Sequence, residues 1–352
     1  PSQWSRHLGR SHSPLINAST WALYITGKVL DDSDESQRSV TSVLHGAIKR
    51  LGEPVIRQAV SRAMKEMGRQ FVLGESIEAA VKRAKVQEKK GFTYSYDMLG
   101  EAAKTERDAR RYHLSYSEAI SEIAHHATSD DIRDNPGISI KLSALHPRYE
   151  TAKAARVMDE LVPRVLALAA LAKSAGIGLN IDAEEAARLD LSIAVIEEVL
   201  ARPALKGWDG FGVVVQAYGR RAPDVIDHLY GLAARLDRRI MVRLVKGAYW
   251  DTEIKHAQVE GHDTFPVFTR KPSTDVSYIC CAQKLLAMRD RIYPQFATHN
   301  AHTVAAILEM AGDNDAYEFQ RLLCMGEALH ETVLQRHGTR CRIYAPVGAH
   351  RD

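Results

Sequence analysis

Positively charged side chains interrupt an apolar stretch that otherwise resembles a buried strand. In Met241–Trp250 (MVRLVKGAYW), Arg243 breaks the apolar run, and Lys246, Gly247 and Ala248 follow its end. A strand buried on both faces is nearly continuously apolar, so these charges need a partner. An anionic ligand is one such partner, because arginine and lysine bind oxyanions through charge-assisted hydrogen bonds and glycine permits close backbone approach. An edge strand whose arginine reaches water is the alternative.

Polar or charged groups also follow most of the other predicted strands. In chain order they are Asp97, Lys141, Asp182, Gln216, Arg243 with Lys246, His299 with Asn300, and Tyr344. Barrel enzymes build their sites at the carboxyl ends of the strands, where residues from different strands converge. The set contains both basic and acidic side chains, and Glu101 is a further acid. It therefore predicts a site for a ligand that carries phosphate or carboxylate.

Several of these residues could serve the fold or a metal instead of such a ligand. Lys141 could form a salt bridge to Asp182 without a chemical role. Asp182 could instead cap a following helix, because Ala183–Glu185 resembles a first helical turn. His299–His302 could bind a metal with Asp182 and Glu184, as in a metal-dependent aldolase or isomerase. No H-x-x-x-H helix or carboxylate pair accompanies them, so we predict no metal.

The elements that position these residues are predicted from alternating β-type and helical patterns. The predicted strands are Phe92–Tyr96, Gly137–Leu142, Gly178–Ile181, Phe211–Ala217, Ile240–Val245, Tyr293–Thr298, Tyr317–Leu322 and Cys341–Ala345. The predicted helices between them include Ala152–Ser174, Asp190–Ala201, Pro223–Leu236, Asp275–Met288 and His302–Met310. This alternation predicts an α/β fold, a parallel sheet closed as a (β/α)₈ TIM-type barrel. An open doubly wound sheet is the competitor, but no G-x-G-x-x-G follows the first strand.

The chain is predicted to have two parts. Residues 1–90 form an N-terminal arm and a segment of two or three helices, with a polar break at Asp31–Ser36, and residues 91–352 form the barrel. Apolar residues at 45% and charged residues at 26% are typical of a globular protein. Lysine and arginine together number 47 against 44 acids, too small an excess to predict a nucleic-acid partner.

Targeting and cysteine patterns give further expectations. No stretch has the length of a membrane span or the apolar core of a signal peptide, so we expect a cytoplasmic protein. The cysteines form no C-x-x-C pair, which predicts neither a zinc site nor a disulfide framework. Cys280 and Cys281 lie in a helical pattern and are predicted to be core residues.

Six motifs carry a resemblance to a known family. They are Tyr96–Ala103 (YDMLGEAA), Ser139–Tyr149 (SIKLSALHPRY), Asn180–Glu185 (NIDAEE), Arg243–Trp250 (RLVKGAYW), Ala297–His302 (ATHNAH) and Arg342–Gly348 (RIYAPVG). In this order they resemble the proline dehydrogenase domain of the bacterial bifunctional flavoenzymes of the proline utilization A family. The family's ribbon-helix-helix segment and aldehyde dehydrogenase domain have no recognisable counterpart in the sequence.

The resemblance implies an FAD-dependent proline dehydrogenase that performs the first step of proline catabolism. Hydride would pass from C5 of L-proline to flavin N5, yielding Δ1-pyrroline-5-carboxylate, and a membrane quinone would accept the electrons. Proline-like carboxylates would inhibit. The resemblance further implies an aldehyde dehydrogenase domain in the full-length protein and peripheral contact of that protein with the inner membrane face.

The resemblance also assigns residues to the cofactor. Arg243 would lie by flavin N5 and Gln216 at the pyrimidine edge. Lys246 with the Gly247-Ala248 backbone would hold the pyrophosphate. Tyr249 and Trp250 would help to enclose the cofactor, and the ribose, phosphate and adenine end would be served by Thr274, His299 and Asn300.

For the substrate, the resemblance pairs Lys141 with the proline carboxylate and places Asp182 in the polar network beside the flavin and amine. Tyr344 and Leu322 would pack on the pyrrolidine ring, and Asp97 would belong to the same site. The amine must lose its proton before hydride can leave, so activity is expected to rise toward alkaline pH.

The sequence departs from the family pattern near its end. In the family, the motif around Tyr344 leads into a final helix with two arginines that bind the proline carboxylate, one of them paired with the residue at Glu101. This sequence stops at Asp352, and Leu322–Glu327 reads LLCMGE where the family usually has LHGMGE. These departures suggest, as an alternative, an FAD-binding fragment with little activity.

Overall fold

The computed structural model describes residues 71–313 and 315–348, together with Gly68. The chain divides into two compact units, Pro1–Arg69 and Gln70–Asp352, and the strands of the described residues belong to the second. The predicted N-terminal arm, the polar break at Asp31–Ser36 and most of the helical segment before residue 91 lie outside the described residues. The domain boundary at residue 90 therefore stays a prediction.

Strands and helices alternate through the second unit. The strands are β1 (Phe92–Met98), β2 (Gly137–Ile140), β3 (Gly178–Ile181), β4 (Phe211–Gln216), β5 (Ile240–Val245), β6 (Ile292–Ala297), β7 (Glu318–Leu322) and β8 (Arg340–Val347). The helices are α1 (Ile77–Glu88), α2 (Glu106–Ala124), α3 (Leu142–Leu145), α4 (Ala154–Ser174), α5 (Leu189–Leu200), α6 (Ala222–Arg235), α7 (Trp250–Val259), α8 (Lys271–Ala287), α9 (Ala301–Ala311) and α10 (Glu327–His337).

The eight strands form a closed parallel barrel in sequence order. β8 closes on β1 through a register that runs from Phe92 opposite Cys341 to Met98 opposite Val347. The predicted (β/α)₈ fold is thereby confirmed. β5 pairs with β4 on one side and with β6 on the other, so Arg243 does not lie on an edge strand. That alternative is wrong, because a closed barrel has no edge.

Alternate residues along a strand face two different regions, the apolar layer between the strands and the helices and the inside of the barrel. On β1, Tyr94 and Tyr96 belong to the apolar core, while Ser95 and Asp97 hydrogen-bond to side chains from other strands. Side chains of a strand point alternately to its two faces, so one face packs on the helices and the other fills the barrel. Polar groups can therefore converge inside the barrel without disturbing the apolar layer around it.

The predicted ranges overlap the observed elements, with some local differences. β1 continues two residues beyond its predicted end, so Asp97 lies within the strand, and Lys141 is the residue that precedes α3. α8 begins four residues before its predicted start, where Pro272 is favourable in a first helical turn. Cys281 is buried in α8, but Cys280 is exposed, which corrects the prediction that both are core. Neighbouring helix positions point about 100° apart, so Cys281 can face the core while Cys280 faces solvent.

Candidate active site

A cavity of about 580 Å³ opens at the carboxyl ends of the barrel strands. This volume falls in the range of small-molecule and cofactor sites. Predicted site residues that line it are Lys141, Asp182, Gln216, Arg243, Lys246, Gly247, Ala248, Tyr249, His299, Asn300, Leu322 and Tyr344. Asp97, Glu101, Trp250 and Thr274 do not line it. The barrel thus gathers most of the predicted residues around one space.

Arg243 lies at the centre of the polar network inside the barrel. Its Nη1 donates to Asp182 Oδ1 at 2.9 Å and to Ser139 Oγ at 3.0 Å, and its Nη2 donates to Ser95 Oγ at 3.1 Å. The guanidinium carbon lies 5.2 Å from the centroid of the Tyr344 ring. The buried Nε has no hydrogen-bond partner among the described residues. Arg243 therefore has its charge compensated and one donor unused.

Lys141 and Tyr344 complete this network around the two aspartates. Lys141 Nζ donates to Asp97 Oδ1 at 2.8 Å and lies 3.8 Å from Asp182 Oδ2. The close partner of Lys141 is thus Asp97, and the predicted salt bridge to Asp182 is the longer of its two contacts. Tyr344 Oη donates to Asp182 Oδ2 at 2.8 Å. Asp182 is not a helix cap, since the following 3-10 turn begins after Glu185.

Burial and the paired charges fix the protonation states of these groups. Burial opposes the charge on Lys141, but Asp97 and Asp182 outweigh it and raise the pKa of Lys141 above its usual range. Burial, reinforced by Asp182, also raises the pKa of Tyr344 well above its ordinary value. Lys141 is accordingly a cation, and Tyr344 a neutral hydrogen-bond donor, throughout the physiological pH range.

Gln216 links two loops at the rim of the cavity. Its Nε2 donates to the carbonyl of Glu184 at 2.9 Å, and its Oε1 accepts from the backbone N–H of Ala248 at 3.3 Å. The loop after β3 and the loop after β5 are thereby held together through one side chain from β4. The amide of Gln216 is placed so that it shapes the loop that follows Lys246.

Gly247 brings the backbone of that loop close to an aromatic ring. Its φ of +134° is a conformation that side chains rarely adopt, and a Cβ there would lie 2.4 Å from the ring of Tyr218. Tyr218 Oη in turn accepts from the backbone N–H of Tyr249 at 3.3 Å. Glycine is therefore required at this position by conformation and by space.

The end of the cavity near α8 carries an excess of positive charge. Lys246 forms an ion pair with Asp275, which also accepts from Lys271 at 2.7 Å. Hydrogen bonds from these two lysines lower the pKa of Asp275, so the carboxylate is ionised. Thr274 lies buried beside Asp275 in α8. Two cations against one carboxylate favour a phosphate-bearing ligand at this end.

His299 and Asn300 follow β6 on the same side. Asn300 caps α9 by accepting from the N–H of Thr303 at 3.0 Å, so this helix directs its N-terminus toward the turn that lines the cavity. His299 Nε2 accepts from the N–H of Leu322 at 2.9 Å, which ties the end of β6 to the end of β7. Among the described residues, no group of three or more His, Cys, Asp or Glu is arranged to hold a metal ion.

The remaining predicted residues do not line the cavity. Asp97 supports it from within β1 through Lys141. Trp250 begins α7 and donates from Nε1 to the carbonyl of Phe268 at 2.8 Å. Glu101 is exposed in the loop after β1. Their predicted roles stay predictions.

Two serines of the network were not predicted as site residues. Ser95 and Ser139 hydrogen-bond each other at 3.0 Å, and both accept from Arg243. Each stands two positions before a predicted strand-end charge, Asp97 or Lys141, and so faces the same side of its strand. That spacing is the signal in the sequence that would have identified them.

A closed (β/α)₈ barrel with a charged cavity at the carboxyl ends of its strands has the arrangement of a barrel enzyme. Residues 80–352 match the family model described as proline dehydrogenase. The chain belongs to the proline dehydrogenase family. Residues 1–71 match a second model, described as the DNA-binding domain of proline dehydrogenase.

Known proteins resemble the chain over 80% or more of its length. The bifunctional protein PutA of Klebsiella aerogenes is 54% identical over 99% of this chain and 27% of its own length. Proline dehydrogenase 1 of Bacillus subtilis is 26% identical over 80% of this chain and 82% of its own length. A crystal structure of a Bradyrhizobium japonicum proline utilization A variant aligns with a TM-score of 0.77 at 57% identity, covering 86% of this chain and 31% of that one. The chain thus spans about a quarter of the first of these relatives.

The second family match corrects one expectation from the sequence. We expected no counterpart of a DNA-binding segment and no nucleic-acid partner, yet residues 1–71 resemble a model with that description. Nearly all of those residues lie outside the described part of the chain, so the structure does not test DNA binding. Within the described ranges, no helix has both the length and the apolar character needed to cross a membrane.

Proposed function

We propose that this chain oxidises L-proline to Δ1-pyrroline-5-carboxylate with FAD bound in the barrel cavity. The observation that carries the proposal is a single cavity with two chemically different ends. One end holds the balanced centre of Lys141, Arg243, Asp97 and Asp182, and the other holds the basic group around Lys246. Family membership supplies the reaction to which this arrangement is suited.

The residues present fit a flavin dinucleotide. The unused, buried Nε of Arg243 is a donor suited to an electron-rich ring atom, and Val214, Val245 and Ala297 offer an apolar wall. The lysine excess at the other end suits a pyrophosphate. When bound, the flavin supplies at N5 the acceptor for hydride from C5 of proline.

On the cofactor side, the residues of the chain bind and orient FAD. Arg243 biases the flavin ring electrostatically, and Gln216 fixes its pyrimidine edge. Lys246 and the Gly247-Ala248 backbone hold the pyrophosphate. Further cofactor contacts in this proposal come from Tyr249, Trp250, Thr274, His299 and Asn300.

On the substrate side, Lys141 is the cation that binds the proline carboxylate. Asp97 keeps Lys141 protonated and oriented at 2.8 Å. Asp182 receives hydrogen bonds from Arg243 and Tyr344, and with Leu322 the Tyr344 ring packs on the pyrrolidine. Glu101 acts at the rim of the site. The amine reacts in its deprotonated form, so the rate rises toward alkaline pH.

The wider context of the reaction belongs to this proposal through family membership alone. A quinone is the electron acceptor, and proline-like carboxylates are inhibitors. An aldehyde dehydrogenase domain of a longer protein uses the product of the reaction. The protein is cytoplasmic, with peripheral contact at the inner membrane face. The alternative of a flavin-binding chain with little activity finds no support in the comparisons.

A visible absorption spectrum tests this function directly. The purified chain, reconstituted with FAD, is expected to show oxidised flavin bands that L-proline bleaches in the absence of oxygen. A chain with Arg243→Met is the matched control, because it keeps the cavity but removes the central cation. A protein that binds no flavin and instead holds stoichiometric metal would contradict the proposal and favour an aldolase or isomerase.

A further inference from the structure

His330 is a buried histidine on α10 with no role in the site described so far. Its side chain is 0% exposed, and its Nε2 lies 2.8 Å from the carbonyl oxygen of Thr298. A carbonyl can only accept, so Nε2 of the neutral ring carries the proton. The other nitrogen, Nδ1, is buried and has no partner among the described residues. His330 therefore donates its one hydrogen bond to the turn that follows β6.

His299, which lines the cavity, belongs to that turn. Its Nε2 is 2.9 Å from the backbone N–H of Leu322, and because an N–H can only donate, this Nε2 is an unprotonated acceptor. A neutral His299 thus carries its proton on Nδ1. Burial, with further contributions from His330 and Arg321, lowers the pKa of His299 and keeps the ring neutral. The remaining nitrogen of His299 is accordingly a hydrogen-bond donor.

The two rings are far apart in sequence but pack against each other. Their centroids are 6.4 Å apart and their planes are nearly perpendicular, at 88°. Gly326, at the start of α10, lies against both, since a Cβ there would be 3.1 Å from His299 Cδ2 and 3.2 Å from His330 Cδ2. The ring of Phe319 lies 5.9 Å from His330. His330 is thus wedged so that movement of its ring would displace His299.

We propose that His330 is a positioning residue for the nucleotide end of the cavity. By donating to the Thr298 carbonyl and packing against His299, it holds the His299 ring in the orientation in which Nε2 accepts from the N–H of Leu322 and the proton lies on Nδ1. His299 is then a permanent donor to an acceptor oxygen on the sugar or phosphate groups of the dinucleotide. This inference rests on the proposed function, because it takes FAD as the ligand of the cavity.

Two variants separate the hydrogen bond of His330 from its volume. His330→Phe keeps a ring but removes the donor to Thr298, and His330→Gln keeps an amide donor that reaches about as far as Nε2. His337→Phe, on the exposed end of the same helix, is the matched control. The affinities of the apoprotein for FAD and for riboflavin are measured by quenching of flavin fluorescence, and the tautomer of His299 by nitrogen-15 NMR.

His330→Phe is expected to weaken FAD binding about tenfold and to leave riboflavin binding unchanged, because it loses one hydrogen bond at the nucleotide end. His330→Gln should restore FAD binding to within about threefold of the unsubstituted chain. Equal weakening of FAD and riboflavin, or no change in either, would overturn the proposal.

The tautomer decides the matter even if His330→Phe does not fold. A His299 ring protonated on Nε2 in the unsubstituted chain would refute the proposal, whereas protonation on Nδ1 that persists in His330→Gln would support it. A chain that binds no FAD at all contradicts the proposed function instead, and the tautomer of His299 can still be measured in that chain.

Discussion

The charges at the two ends of the cavity are balanced differently, and this difference matches two kinds of ligand. Lys141 and Arg243 are opposed by Asp97 and Asp182, so this centre is close to neutral before anything binds. A zwitterionic amino acid can enter such a site without leaving an unpaired buried charge. The lysines around Asp275 retain a net positive charge, which a dinucleotide phosphate would neutralise.

Replacing Asp182 by Asn should lower kcat/KM for proline about 10- to 150-fold, the cost of losing one hydrogen bond to a charged group. The substitution leaves the buried Arg243 guanidinium with only serine hydroxyls and a neutral amide as acceptors. Steady-state kinetics with an artificial electron acceptor measure the change. Tyr344→Phe removes a hydrogen bond from a neutral donor to the same carboxylate but keeps the ion pair between Arg243 and Asp182, so it should cost less. Equal losses in the two variants would contradict the argument from charge.

Sequence patterns predicted the charged members of the site but not its two serines or the buried histidine beside it. Arg243 and Lys141 stand out because a charge in or beside an apolar strand is unusual. Ser95, Ser139 and His330 do not stand out, since small polar residues and single histidines are ordinary in strands and helices. Their importance arises from barrel closure, which brings side chains far apart in sequence within hydrogen-bond distance.

At the scale of elements, the loop after β5 depends on Gly247. Gly247→Ala should weaken FAD binding by at least about tenfold, because left-handed strain of about 1–3 kcal/mol is joined by a clash with the Tyr218 ring. Gly261→Ala is the control, since Gly261 also has positive φ but nothing within 4 Å of its added Cβ. Titration of apoprotein with FAD makes the comparison. If both alanine variants bind FAD equally well, the close packing on Tyr218 is not important.

The contact between α10 and the end of β6 predicts a dependence of stability on pH. Burial lowers the pKa of His330 below its ordinary value of 6.5, so on acidification the unfolded chain binds a proton that the folded chain resists. Neutral His330 therefore costs the folded chain no stability above the pKa of the unfolded chain, about 6.5. Stability is lost as the pH falls from there toward the lower pKa of His330 in the folded chain. Each such histidine contributes a slope of at most about 1.4 kcal/mol per pH unit.

His330→Phe should make this slope shallower. Urea unfolding at about pH 7.5 and about pH 5.5 measures it, with His337→Phe as the control that should keep the full slope. His113 and His146, whose pKa values are also lowered by burial, should preserve part of the dependence in both variants. An unchanged slope in His330→Phe would show that His330 titrates alike in the folded and unfolded chains.

Element types were easier to predict from this sequence than element boundaries. Every predicted strand overlaps an observed one, because parallel strands buried on both faces appear as short apolar runs. Four helices, α2, α3, α7 and α10, have no predicted helical range. For α2 the signal was present, since Thr105 and Asp108 form a capping box at its start. Strand ends were less certain because Asp97 continues the ladder opposite Pro346.

At the scale of the whole molecule, the barrel is closed by β1 and β8, and a buried ion pair stands at that closure. Arg342 on β8 donates to Glu318 Oε1 on β7 at 2.9 Å, and both side chains are buried. Arg342 Nη1 also donates to the carbonyls of Tyr94 at 3.1 Å and Asn135 at 2.9 Å. One side chain thus connects β7 and β8 to β1 and to the segment that enters β2.

Removing either partner of this pair should leave the other charge buried without its counter-ion. The double variant should therefore lose less stability than the two single variants lose together. Arg342→Met leaves the Glu318 carboxylate buried with only amide donors from Gln295 and Gln320, and should lower the free energy of unfolding by about 3–5 kcal/mol. Glu318→Gln leaves the Arg342 charge buried without its carboxylate partner in the same way. The double variant removes both charges, so its loss, measured by urea unfolding, should be smaller than the sum of the single losses by at least about 1 kcal/mol. Strict additivity would mean that Arg342 and Glu318 do not stabilise each other, and that Arg342 acts on the closure through the carbonyls of Tyr94, Asn135 and Arg133.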